Sequence, residues 1–71
     1  MRNFTAILIP GGGVQPIQVP YGTTLQQLAN EKGWTDREMT LNDVQVPRSS
    51  WADTVLDQAV ELFAVRSVKG N

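Results

Sequence analysis

The chain has 71 residues, with seven acidic and six basic side chains and a formal net charge of −1. It contains no cysteine and no histidine, which excludes disulfides, thiolate metal sites, cysteine nucleophiles and histidine general bases. A domain of this size has little room for a closed pocket. The composition therefore predicts that the protein is not an enzyme and holds no metal or cofactor.

The six basic residues are spread along the whole sequence, and no cluster of them indicates a nucleic-acid-binding surface. No apolar stretch approaches the roughly 20 residues of a membrane span. The first three residues lead into a predicted strand rather than a signal peptide. We expect one domain over residues 1–71 that is cytoplasmic and binds neither nucleic acid nor membrane.

The first two predicted strands form a hairpin. Residues 4–9 are apolar and β-branched, as is typical of a strand. The three glycines at 11–13 lack the Gly-Lys-Ser/Thr and the helix that a phosphate-binding loop needs. They instead indicate a turn into a second strand at 14–19. Pro16 has no backbone donor, so this second strand is predicted at a sheet edge.

A short helix is predicted over about residues 24–32. Thr24 and Gln27 match a capping box, and the pair one residue earlier is the alternative. Gly33 suits the left-handed residue after a helix, and Trp34 is expected to line the core. An apolar stripe at helical spacing is predicted to pack on the sheet: Leu25, Leu28 and Ala29.

The second half of the chain predicts three more strands. Two short ones lie within residues 39–46, joined by a two-residue turn at 42–43. Ser50 is predicted to cap a single helical turn. The last strand, at 59–65, is apolar except for Glu61, which indicates burial on one face and substantial cover on the other.

The element order is β-β-α-β-β-β. A right-handed crossover through the helix lets the last strand lie parallel to the first, in the middle of the sheet. The order predicts an α+β fold of the β-grasp, or ubiquitin-like, type, with one helix packed across a mixed four- or five-stranded sheet. The sheet face away from the helix is expected to remain partly open and, with the tail at residues 67–71, to bind protein.

Several segments resemble a known family in residue pattern and order. The most specific is Val46-Pro47-Arg48-x-x-Trp51, and others are Tyr21-Gly22-Thr23-Thr24-Leu25, Leu41-Asn42-Asp43, Val55-Leu56-Asp57 and Val60-Glu61-Leu62-Phe63-Ala64-Val65. On these residues the chain resembles the small sulfur-carrier proteins of thiamine and molybdopterin biosynthesis, the ThiS/MoaD family, and most of all the thiamine branch. The resemblance implies the same ubiquitin-like fold.

The chemistry that the resemblance implies depends on the tail. In such carriers an activating enzyme adenylates the carboxylate of a terminal Gly-Gly, and a sulfur donor converts it to a thiocarboxylate. Here Lys69 stands where the first glycine is expected, Gly70 matches the second, and Asn71 follows. The usual Gly-Asp before the last strand is replaced by Asp57-Gln58. The tail is therefore expected to fit an activating-enzyme channel poorly, because that channel favours residues without side chains.

Three functions follow as hypotheses. The first is a monomeric, carrier-like protein-binding module without the transfer chemistry, whose partner is an adenylating enzyme or a sulfur-accepting synthase. The second is a working carrier, activated at Gly70 after loss of Asn71. The third is a small regulator, or a virus-encoded mimic, on the same fold. The partner-binding residues predicted under the first hypothesis lie in the last strand and the tail: Phe63, Val65, Arg66, Lys69, Gly70 and Asn71.

Two side-chain assignments stay open from the sequence alone. Phe63 fits the core as well as the open face, because strand alternation does not identify which face is covered. Arg48 and Trp51 are predicted to form a packed turn rather than a binding site, with Arg48 donating to carbonyls of that loop.

Overall fold

The structure is a computed structural model that describes residues 1–66, and the predicted tail at 67–71 lies outside the described residues. It is an α+β domain with one α-helix on a mixed five-stranded sheet, as predicted. None of the described residues forms a helix that is long and apolar enough to cross a membrane. The strands and the helix are β1 Arg2–Ile9, β2 Gly13–Val19, α1 Leu25–Lys32, β3 Glu38–Leu41, β4 Val44–Val46 and β5 Glu61–Val65.

The strand order in the sheet is β2-β1-β5-β3-β4. β1 and β5 are parallel neighbours in its middle, and every other neighbouring pair is antiparallel. The hairpin of β1 and β2 leaves β2 at one edge, where Pro16 was predicted to place it. The short β3–β4 hairpin lies at the other side of β5, also as predicted.

The β2 edge is a poor template for a further strand. The backbone N–H of Thr5 donates to the carbonyl of Val60 beside β5 (3.2 Å). Because successive residues of a strand turn their backbone groups to opposite sides, the odd-numbered residues of β1 face β5 and the even-numbered ones face β2. The register then directs the backbone groups of Val14, Pro16 and Gln18 outward. Pro16 offers no N–H at the centre of that row, which disfavours pairing with another chain.

Helix α1 begins where the capping box predicts. The hydroxyl of Thr24 accepts from the backbone N–H of Gln27 (3.1 Å), and the Gln27 side chain accepts from the Thr24 N–H (2.9 Å). The Thr23 hydroxyl donates instead to the carbonyl of Pro20 (2.7 Å), which rules out the earlier register. Gly33 follows the helix with a left-handed φ of 74°, a conformation that glycine adopts without strain.

The core lies between α1 and one face of the sheet. Leu25, Leu28 and Ala29 are buried and belong to the same apolar cluster as the strand residues. Trp34 is buried in this cluster beyond the end of the helix, as predicted. By the strand register, the buried strand residues all lie on this one face: Phe4, Ala6, Leu8, Ile17, Val19, Met39, Leu62 and Ala64.

Asn42 connects the β3–β4 turn to the start of β5. Asn42 and Asp43 both have positive φ (50° and 69°), as a two-residue hairpin turn with the twist of its strands requires. The Asn42 side-chain oxygen accepts from the N–H groups of Val60 (2.8 Å) and Glu61 (3.1 Å), and its amide nitrogen donates to the carbonyl of Gln58 (2.9 Å). β5 begins at Glu61, two residues later than the predicted start at 59. These hydrogen bonds and a 3₁₀ turn occupy the backbone before Glu61.

The predicted capping role of Ser50 is wrong. Ser50 lies inside a 3₁₀ segment, Arg48–Asp53, which begins after Pro47 without a side-chain cap. Its N–H already donates to the Pro47 carbonyl (2.8 Å), and its own carbonyl accepts from the hydroxyl of Thr54 (2.7 Å). A serine caps only when it precedes the first turn, and here the turn starts two residues earlier.

The packing of α1 gives a stability prediction. Leu28→Ala removes a fully buried side chain and is expected to lower the free energy of unfolding by about 2–5 kcal/mol, a large part of the stability of a small domain. Glu31→Ala, at an exposed position of the same helix, is the matched control and is expected to change it by less than about 0.5 kcal/mol. Urea unfolding measures both. Equal midpoints for the two variants would contradict the helix placement.

Candidate functional site

Strand β5 divides its side chains between the two faces of the sheet. Leu62 and Ala64 are fully buried against α1, whereas Glu61, Phe63 and Val65 are half-buried on the opposite face. The apolar composition of this strand indicated cover on both faces. The structure buries it fully on one face only. No α-helix among residues 1–66 lies over this second face, since α1 packs on the other.

The register brings apolar side chains of three strands together on that second face. Ile7 of β1 lies beside Phe63 of β5, and Val14 of β2 lies beside Ile7. One step along the strands, Ile9 lies beside Val65. We name this set the open face: Ile7, Ile9, Val14, Phe63 and Val65.

The open face is continuous and partly exposed. Its central residues, Ile7 and Phe63, are half-buried by their neighbours. Val14 keeps 70% of its surface exposed at the β2 side and Ile9 keeps 47% near the end of β1. Contiguous apolar side chains of this kind, in contrast to single ones, are typical of surfaces that bind other molecules.

Two carboxylates border the open face. Glu61 is paired with Thr5 at one end of β5, and Glu38 is paired with Val65 at the other. Within residues 1–66 neither carboxylate has a cation at ion-pair distance, since the ion pair found there joins Arg66 to Asp36. The border of the open face is therefore acidic.

The predicted partner-binding residues separate into two groups. Phe63 and Val65 lie together on the open face. Arg66 lies just beyond β5, where its N–H donates to the Ile9 carbonyl (2.8 Å) and its guanidinium pairs with Asp36 (3.3 Å). Both side chains of that pair are more than half exposed, so the pair contributes little stability. The remaining three, Lys69, Gly70 and Asn71, lie outside the described residues.

Arg37 is a buried cation that no sequence pattern indicated. Only 8% of its surface is exposed, and its terminal nitrogen Nη1 donates to the carbonyls of Ile9 and Ala64 (3.2 Å each). It thereby joins the ends of β1 and β5 immediately before Arg66. The sequence around Arg37 is polar. Burial of an arginine depends on distant carbonyls, which the local sequence does not reveal.

Arg48 and Trp51 form a packed turn, as the sequence favoured. Trp51 is buried, and its indole Nε1 donates to the carbonyl of Val46 (3.1 Å). The predicted role of Arg48 as a donor to loop carbonyls is not found. Its guanidinium instead stacks on the Trp51 ring, 4.5 Å from the ring centroid, a favourable cation–π geometry.

Three residues of the open face were absent from the predicted site: Ile7, Ile9 and Val14. The run at 4–9 is apolar at almost every position, so its composition does not separate the core side from the open side. Only pairing with β5 identifies Ile7 and Ile9 as neighbours of Phe63 and Val65.

Chemically, the open face offers apolar contact bordered by two carboxylates. No group of histidine, cysteine, aspartate and glutamate residues able to hold a metal ion is found in the described part of the chain. No protein-family model, curated protein or solved structure matches this chain. Its function is therefore argued from the geometry.

Neighbouring residues of β5 provide a test of the face assignment. Leu62→Ala is expected to lower the free energy of unfolding by about 2–5 kcal/mol, because Leu62 is fully buried. Phe63→Ala removes a larger side chain but is expected to cost only about 1 kcal/mol, because Phe63 is half exposed on the open face. Thermal or urea unfolding of the two variants gives the comparison. A larger loss for Phe63→Ala would place Phe63 in the core.

Proposed function

We propose that this chain is a protein-binding module of the β-grasp, or ubiquitin-like, type, and that it docks a protein partner on its open face. The observation that carries the proposal is the contiguous apolar surface of Ile7, Phe63 and Val14 on the face away from α1. The chain acts as a binding partner rather than as a catalyst.

The strand order supports the β-grasp assignment. A single helix follows an N-terminal hairpin and packs on one face of the sheet, and the last strand returns parallel to the first in the centre. This is the arrangement that the resemblance to the ThiS/MoaD carriers implies. The segment with the most specific resemblance, at 46–51, is packed around Trp51 and stacks Arg48 on it.

Burial energetics favour the open face over the sheet edges as the docking surface. Covering apolar surface yields about 25 cal/mol per Å², and the open face supplies side chains from three strands at once. The outer edge of β2 lacks a donor at Pro16, and β4 at the opposite edge has only three residues. A partner that added a strand at either edge would form few backbone bonds.

The resemblance suggests the kind of partner. It is an adenylating enzyme or a sulfur-accepting synthase. In this proposal Phe63 and Val65 supply the apolar contact, and Arg66 fixes the point where the tail leaves the sheet through its bond to Ile9. Lys69, Gly70 and Asn71 then contribute to binding rather than to sulfur transfer.

Site-specific photo-crosslinking in the native host tests the docking surface. A photoreactive phenylalanine analogue at Val14, which is exposed on the open face, is expected to crosslink to one partner protein. The same analogue at Tyr21, which is similarly exposed (67%) but outside the open face, is expected to give no such product. Phe63→Glu, combined with the probe at Val14, should abolish the product because it places a charge at the centre of the contact.

The matched control for Phe63→Glu is Val60→Glu, an apolar-to-acidic change at an exposed position outside the open face. It should leave the Val14 product unchanged. Equal products from Val14 and Tyr21, or a product insensitive to Phe63→Glu, would contradict docking on the open face.

A second function, the working carrier, is favoured by the anchoring of Arg66 at the end of β5, since a carrier must deliver its tail from a fixed position. We expect the intact mass to remain unchanged after incubation with an activating enzyme, ATP and a sulfur donor, because the Lys69 side chain obstructs a channel that favours glycine. A shortened species ending at Gly70 that gains the mass of one oxygen-to-sulfur exchange would establish the carrier function instead. Lys69→Gly with removal of Asn71 is the positive control.

A further inference from the structure

Among the described residues, Arg37 is a buried cation without a counter-ion. Its guanidinium has two carbonyl acceptors, but no carboxylate within residues 1–66 lies at ion-pair distance. Its Nε atom is also buried and has no hydrogen-bond partner in the described part of the chain. A buried charge without a counter-ion and a buried N–H without an acceptor both lower stability, so an anion bound beside Arg37 would offset part of that loss.

A small cavity of about 170 Å³ adjoins this arginine. It lies between the start of β3, the β4 strand and the 3₁₀ segment Arg48–Asp53. Its lining contains two arginines and one carboxylate, so the lining carries a single net positive charge. The lining residues are Arg37, Glu38, Gln45, Val46, Pro47, Arg48 and Trp51.

Both arginines have partners without a ligand. The carbonyls of Ile9 and Ala64 hold the buried Arg37, and the guanidinium of the exposed Arg48 stacks on the Trp51 ring. The Trp51 indole is itself held by its bond to Val46. Cations ordered in advance lose little side-chain entropy when they bind an anion, and guanidinium groups match the planar fork of a carboxylate.

We propose that this cavity binds the carboxylate group of a small molecule between Arg37 and Arg48. The ligand supplies the counter-charge that Arg37 lacks among residues 1–66. Glu38 on the cavity wall repels a second negative charge, which selects a monoanionic carboxylate over phosphate. This proposal does not depend on partner binding at the open face, although Glu38 borders both.

An NMR titration of the full chain tests the proposal. The titrants are sodium acetate, sodium phosphate and, at matched ionic strength, sodium chloride. We expect acetate to cause saturable shifts of the Nε–Hε signals of Arg37 and Arg48 and of the Trp51 indole. The Trp34 indole, which is buried outside the cavity lining, is the internal control and should not move. No saturation with acetate, the same shifts with chloride, or tighter binding of phosphate than of acetate overturns the proposal.

Three single-residue variants make the test specific. Arg48→Gln is expected to weaken acetate binding by about tenfold or more, because it removes one of the two guanidinium groups that donate to the carboxylate. Lys32→Gln removes an exposed cation in the last turn of α1, outside the cavity, and should leave the affinity unchanged. Glu38→Gln should tighten binding by about threefold through loss of the repelling charge. Equal effects of Arg48→Gln and Lys32→Gln, with well-dispersed spectra for both, would show a general charge effect and overturn the site.

Discussion

The parallel pairing of β1 with β5 is the constraint on which the rest of the structure depends. It sets Ala6 beside Leu62 under the helix and Ile7 beside Phe63 on the other face. A slip of one residue would exchange the two faces of β5, moving Phe63 into the core and Leu62 into solvent. The core under α1 and the apolar surface opposite it are thus two consequences of one register.

Polar contacts hold both ends of β5 in that register. At its start, the Asn42 side chain binds the N–H groups of Val60 and Glu61. At its end, Arg37 binds the carbonyls of Ile9 and Ala64. An apolar strand by itself tolerates displacement along its neighbours, whereas directional hydrogen bonds at fixed positions do not. Asn42 and Arg37 therefore define where the open face begins and ends.

The two proposed binding regions use different physics on adjoining surfaces. The open face offers apolar area bordered by Glu38 and Glu61, which suits a protein partner with apolar and basic side chains. The cavity beside it offers two guanidinium groups, which suit a carboxylate. Glu38 borders both, so occupation of the cavity changes the charge at one end of the docking surface.

The sequence by itself determined the features that depend on neighbouring residues. The capping box of Thr24, the turn at 42–43, the edge position of the strand with Pro16 and the order of helix and strands all follow from local backbone chemistry. Only the tertiary structure decided which face Phe63 occupies and that Arg37 is buried. Both depend on strands far apart in the chain, and an apolar run or a lone arginine contains no information about the residues that it will meet.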